Sequence, residues 1–142
     1  MSTVRTSNTK ARKLVDGLTE FKGSNTFAEF SACTETRPTN LYVVYSYGYH
    51  FPMYIAEWFD NQAPQWYENQ DKYSQSTSRQ QSQCRPSAPT TKMTTEQMKV
   101  LARDGIVGVA MMREKQDLTR DAVEQYILNM KAGGLLTPTM QR

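Results

Sequence analysis

The chain of 142 residues is poor in the groups on which most enzymes and small secreted folds depend. It has two cysteines, one histidine and seven scattered glycines. Cys33 and Cys84 do not form a Cys-x-x-Cys pair. One histidine with two distant thiols falls short of the three or four ligands that a zinc site takes. The glycines never gather into a phosphate-cradling loop. No apolar run approaches the roughly 18 residues that a membrane helix needs. The start, MSTVRTSNTKARK, is polar and carries no apolar leader core. These absences lead us to expect a reducing, cytosolic setting with two free thiols, no membrane, no metal and no cofactor.

What is present suits one folded domain with a terminal extension. Apolar residues make up 38% and aromatic residues 11%, enough to build a core without metal or disulfide help. The net charge of +3 hides an uneven distribution. Residues 1–22 hold five basic and two acidic groups, and residues 23–71 hold Arg37 against six acids. Residues 72–92 hold Lys72, Arg79, Arg85 and Lys92 with no acid. A basic strip of this kind meets phosphate or an acidic partner surface, or is simply a solvated face.

Residues 1–9 read as a flexible terminus. From Lys10 to Phe21 the spacing of Leu14, Leu18 and Phe21 predicts a short helix capped by Thr9. Alternation predicts a strand from Thr26 to Thr36. Leu41 to Tyr47 is the strongest strand former, apolar on both faces and therefore central. Gly48 breaks it, and Met53 to Trp58 returns, with Pro52 tolerated at the strand's start. Gln65 to Asn69 is a further short strand anchored by Trp66. The polar stretch Lys72 to Gln83 reads as an exposed edge strand or an ordered loop. Thr94 with Gln97 makes a capping box for a helix that stops at Gly105. Helix resumes to about Lys115, and Thr119 caps a last helix, 120–132, ended by Gly133-Gly134.

The predicted class is α+β: a small antiparallel sheet with a short N-terminal helix and two or three C-terminal helices. Residues 10–90 form the core domain. Residues 91–142 form a helical segment packed on it or appended to it. Tyr42, Val44, Tyr45, Ile55, Trp58 and Trp66 are the expected buried body.

The chemistry on offer is thin. His50 has the right intrinsic pKa for a general base, but a nucleophile and an orienting group are not evident from spacing. Glu57, Asp60, Glu68 and Asp71 surround Trp58 and Trp66 and suit either a pair of sugar-cleaving carboxylates or a solvated loop rim. The final helices resemble a helix-turn-helix only loosely, because Asp121 and Glu124 would face phosphate. The run Tyr73-Ser74-Gln75-Ser76-Thr77-Ser78-Arg79 offers hydroxyl and guanidinium donors for phosphate oxygens and a ring for base stacking, or else a polar edge that resists pairing.

Tyr45-Ser46-Tyr47-Gly48, then Ile55-Ala56, then Tyr73-Ser74-x-Ser76-Thr77-Ser78-Arg79 together resemble a family of small phage and mobile-element proteins. The likeness covers about residues 9–86 and leaves out the C-terminal helices. It implies a phage or mobile-element origin and a shared small β-rich domain, with no reaction attached. Members of that family commonly carry a histidine where this chain has Gln80, so a catalytic base at that place would be lost here.

The leading expectation is a small, non-catalytic, phage-encoded protein of the host cytoplasm. In it Lys72, Tyr73, Ser74, Ser76, Thr77, Ser78, Arg79 and Arg85 form a basic edge that meets nucleic acid. The alternative is a protein–protein module that binds a host factor or serves the virion, using aromatic residues around 58–67 and the eight methionines. A secondary site joins His50, Trp58 and Trp66, and an enzyme built on His50 is the third reading.

Overall fold

A computed structural model describes residues 4–7, 10–72 and 75–132, with the side chains of 75–77 and 130–132 outside the description. The chain falls into two compact units, Met1–Val109 and Ala110–Arg142. The first is an α+β domain built on a seven-stranded mixed sheet. In chain order its elements are β1 (Val4–Arg5), α1 (Ala11–Asp16), β2 (Phe21–Lys22), β3 (Thr26–Ser31), β4 (Asn40–Ser46), β5 (Pro52–Trp58), β6 (Gln65–Asn69), α2 (Gln75–Cys84), β7 (Thr90–Met93) and α3 (Thr95–Ala132). Unit one includes α3 as far as Val109, so residues 91–109, assigned from the sequence to the C-terminal segment, lie in the sheet domain.

The sheet is larger than expected and not antiparallel throughout. Its spatial order is the order of the sequence, β1 to β7. The middle five strands, β2 to β6, form an antiparallel meander, whereas β1–β2 and β6–β7 are parallel. A parallel pair cannot be closed by a tight turn and needs a crossover. Here α1 supplies one and α2 the other. Counting directions through the meander, β1, β2, β6 and β7 all run the same way, and both crossovers step the same way across the sheet. Two crossovers of one hand therefore place both helices on one face. α1 and α2 do pack against each other there.

Beneath them lies one core, with Ala11, Val15, Phe21, Ala28, Tyr42, Val44, Tyr54, Ala56, Trp66 and Cys84 all buried. The opposite face is covered by the first part of α3, where Leu41, Val43, Ile55, Tyr67 and Met93 meet Met98, Leu101 and Val109. β4 is buried along its whole length, as a central strand apolar on both faces must be. Of the expected body, Tyr42, Val44, Tyr45, Ile55 and Trp66 are buried, and Trp58 is only partly covered, tilted against exposed Phe30.

Five local expectations need correction, the first being the strand read from Thr26 to Thr36, which ends at Ser31. The N-terminal helix stops at Asp16 and does not reach Phe21. Leu18 adopts a left-handed conformation (φ 53°), Thr19 N–H donates to Leu14 C=O, and Leu18 N–H donates to Val15 C=O. That is the Schellman pattern, with leucine where glycine is usual. Phe21 then starts β2. Part of the terminus read as flexible, Val4–Arg5, is the outermost strand.

The polar stretch read as strand or loop is a helix, α2. Its serines and threonine are indifferent helix formers, and no apolar period announces it. What it turns toward the sheet is Gln80, Gln81 and Cys84, all buried.

The C-terminal helices are one element, broken at Gly105 and not at residues 117–119. Thr119 caps nothing: its hydroxyl donates to Lys115 C=O, one turn back inside the helix. The loose helix-turn-helix resemblance has no turn to rest on. The expected capping box is present, with Gln97 N–H donating to Thr94 Oγ1 (3.2 Å) and Thr94 N–H donating to Gln97 Oε1 (2.9 Å). The expected cap at Thr9 and the stop at Gly133-Gly134 lie outside the described residues.

Candidate nucleic-acid interface

The residues expected to form one basic edge have separate fates. Arg85, just beyond α2, is partly exposed but paired with a buried carboxylate of its own chain. Its guanidinium donates to both oxygens of Glu68 (2.9 and 3.1 Å) and sits 5.8 Å from the centre of the Tyr54 ring. Thr90 Oγ1 donates to the same carboxylate at 2.5 Å. Burial pulls the Glu68 carboxyl upward, but these hydrogen bonds, with the charges of Arg85 and Lys92, outweigh it and hold the group below its ordinary value. Lys72 Nζ donates to Gln81 Oε1 (3.0 Å), a neutral acceptor. Arg79 is exposed, and Ser78 is partly so. Tyr73 and Ser74, and the side chains of Ser76 and Thr77, lie outside the described residues.

The reason the strip folds as it does lies under α2. Tyr54 OH donates to Gln81 C=O (2.6 Å), and Gln81 Nε2 donates to Asn69 C=O (2.9 Å) and Asp71 C=O (3.3 Å). Gln80 Oε1 accepts from Ser46 Oγ, while Gln80 Nε2 is buried with no hydrogen-bond partner among the described residues. Cys84, fully buried, is hydrogen-bonded to Thr26, and burial pushes its thiol up to about 12. Polar anchoring of this kind fixes the rotation of α2 about its axis. Gln80 and Gln81 go inward and Arg79 goes outward.

The sequence reading missed the second half of this surface. Lys10, Arg12 and Lys13, at and just inside the start of α1, are exposed on the helix that packs beside α2. The one acid within α1, Asp16, accepts from Ser87 N–H and Ser87 Oγ, each at 2.7 Å. The five basic groups of residues 1–22 were visible in the sequence. That three of them, Lys10, Arg12 and Lys13, lie on the helix beside α2 follows only from the two crossovers.

The other candidates scatter. His50 is exposed in the β4–β5 turn, Trp66 is buried in the α1–α2 core, and Trp58 lies at its margin, so the three form no common site. Trp66 and Tyr67 are 6% and 9% exposed, which removes them from the aromatic contact surface expected around 58–67. Glu57 and Glu68 occupy opposite faces of the sheet. Glu57 accepts from Thr39 Oγ1 (2.5 Å) and Ile106 N–H (2.9 Å), so it holds α3.

A cleft of about 520 Å³ opens beside the β2–β3 and β4–β5 turns, with Glu20, Lys22, Glu29, Tyr47 and Tyr49 among its lining, and His50 is not part of it. Among the described residues, no three His, Cys, Asp or Glu side chains are grouped to hold a metal ion. No helix there is long and apolar enough to cross a membrane. No family model matches this chain, and neither a curated protein nor a solved structure does.

Proposed function

We propose that the protein is a small non-catalytic binding protein that grips the phosphate backbone of nucleic acid with the outer surface of α1 and α2. One observation carries the reading: cations from two distant parts of the chain lie in one helical layer. Lys10, Arg12 and Lys13 come from the first part, and Lys72 and Arg79 from the second. The acids near that layer already have partners, Asp16 with Ser87 and Glu68 with Arg85. Side chains of this kind contact phosphate without reading sequence, so the expected binding is weakly selective. A phage or mobile-element origin and action in the host cytoplasm belong to the same proposal, supported by the likeness over residues 9–86.

Binding to generic single- and double-stranded DNA, titrated at low and moderate salt, tests it. Affinity should fall steeply with salt, with a log–log slope of about 0.9 per phosphate contact on duplex and about 0.7 on single strands. The double variant Arg12→Ala, Arg79→Ala should lower both affinity and slope. Absence of binding at low salt, or binding indifferent to this variant, refutes the reading.

A further inference from the structure

The second unit offers a different surface. Between Ala110 and Asn129 every side chain is exposed except Met112, which is partly so. Among them Leu118, Val123, Tyr126 and Leu128 are 68%, 52%, 58% and 58% exposed. Lys115, Leu118, Thr119, Ala122, Val123 and Tyr126 line a hollow of about 460 Å³. The hollow next to it, lined by Met112, Lys115, Gln116 and Thr119, holds about 370 Å³. These positions recur three and four apart, which is one stripe along a helix. Thr119 and Ala122 are small, and the other lining residues are larger. That is the shape of a hole awaiting a knob from a facing helix.

We infer that this stripe pairs with the same stripe of a second copy, antiparallel, about a two-fold axis near Ala122. Charge selects the occupant. Residues 110–132 carry Arg113, Lys115, Arg120 and Lys131 against Glu114, Asp117, Asp121 and Glu124, a net charge of zero. Such a segment has no net attraction for lipid headgroups or phosphate, and no net repulsion for its own copy. Charge also selects the direction. Residues 110–120 sum to +1 and residues 121–132 to −1, so antiparallel copies set opposite signs against each other.

The one charge in the stripe is Lys115, which parallel pairing would bring face to face with its copy. Antiparallel pairing about Ala122 separates the two lysines by fourteen residues of helix rise, roughly 21 Å. It also sets Leu118 of each copy against Tyr126 of the other. The interface is isologous and closes on itself as a dimer.

Sedimentation of the full chain without nucleic acid tests this separately from phosphate binding. The expected result is a concentration-dependent dimer that Val123→Glu weakens about tenfold or more. Val123 is half-exposed, and unchanged tryptophan fluorescence would show that the sheet domain is intact. In a Cys33→Ser background, Ala122→Cys should give an oxidised cross-linked dimer, and Lys115→Cys should not. A monomer at every concentration, a dimer that survives Val123→Glu, or equal cross-linking through residue 115 overturns the inference. So does a monomer that floats with anionic phospholipid vesicles.

Discussion

Replacing Gly105 by alanine separates two descriptions of α3 by sign. In an unbroken helix, Gly→Ala in the interior stabilises by about 1 kcal/mol. Gly105 is not helical: its φ of 77° and ψ of −175° lie in a region that glycine alone occupies comfortably. A side chain held there costs about 1–3 kcal/mol in backbone strain. The added methyl would also stand inside van der Waals contact with the Glu57 carboxylate. That carboxylate is buried and binds Thr39 Oγ1 and Ile106 N–H, the first free donor after the break.

Across the break, Arg37 is equally buried. It donates to Arg103 C=O (3.3 Å) and to the carbonyls of Ser31, Ala32 and Thr39. An anion therefore holds the new helix start and a cation holds the old helix end, each matched to the local dipole. Pushing Glu57 aside leaves buried groups unpaired at about 1–3 kcal/mol. The expected loss is thus about 2–6 kcal/mol, a large part of a typical domain's stability. Urea unfolding followed by the fluorescence of Trp58 and Trp66 measures it, since both tryptophans lie in the sheet domain. A second variant checks the cause. Combined with Glu57→Ala, Gly105→Ala should cost less than the sum of the two changes. A stabilised Gly105→Ala protein would refute the broken helix and the clamp together.

Two further outcomes follow from the pairing and burial of single groups. Because the folded Glu68 carboxyl titrates below its unfolded value, its contribution is present above the unfolded pKa and is lost as pH falls through the folded one. The stability gap between the native chain and Glu68→Gln should therefore be wide at neutral pH and shrink in acid, and a gap constant down to pH ~3 contradicts the pairing. A thiol reagent at pH ~8 should label exposed Cys33 at once and buried Cys84 only after unfolding, whereas rapid labelling of both would show that α2 does not seal its core.

The strands of the meander were legible because their cue is local. Leu41 to Tyr47 is a run of strand formers, and Gln65 to Asn69 matches its element end to end. The capping box at Thr94 and Gln97 and the stop at Gly105 were legible for the same reason. α2 was not, because its inward face is two glutamines and a cysteine, and amide burial leaves no trace in a hydrophobic period. Nor was the parallel pairing of β1 with β2 and of β7 with β6, which depends on partners across a helical crossover. The candidate interface divides along the same line. Arg79 is exposed. The loss of Arg85 to Glu68, and the arrival of Lys10, Arg12 and Lys13 beside α2, are consequences of topology that no spacing encodes.

The spatial order of the strands, identical to their order along the chain, bears on how the molecule assembles. Each strand finds its neighbour among residues just made, so pairing in the meander needs only short loop closures, which are quick and cost little entropy. The outer pairs must wait for a helix to form and dock before they can close. Hydrogen exchange should then report the latest-formed and first-opened backbone at Val4–Arg5 and Thr90–Met93, and the most persistent protection along Asn40–Trp58. Synthesis from the amino end would leave the first crossover idle until the middle of the sheet exists to receive it.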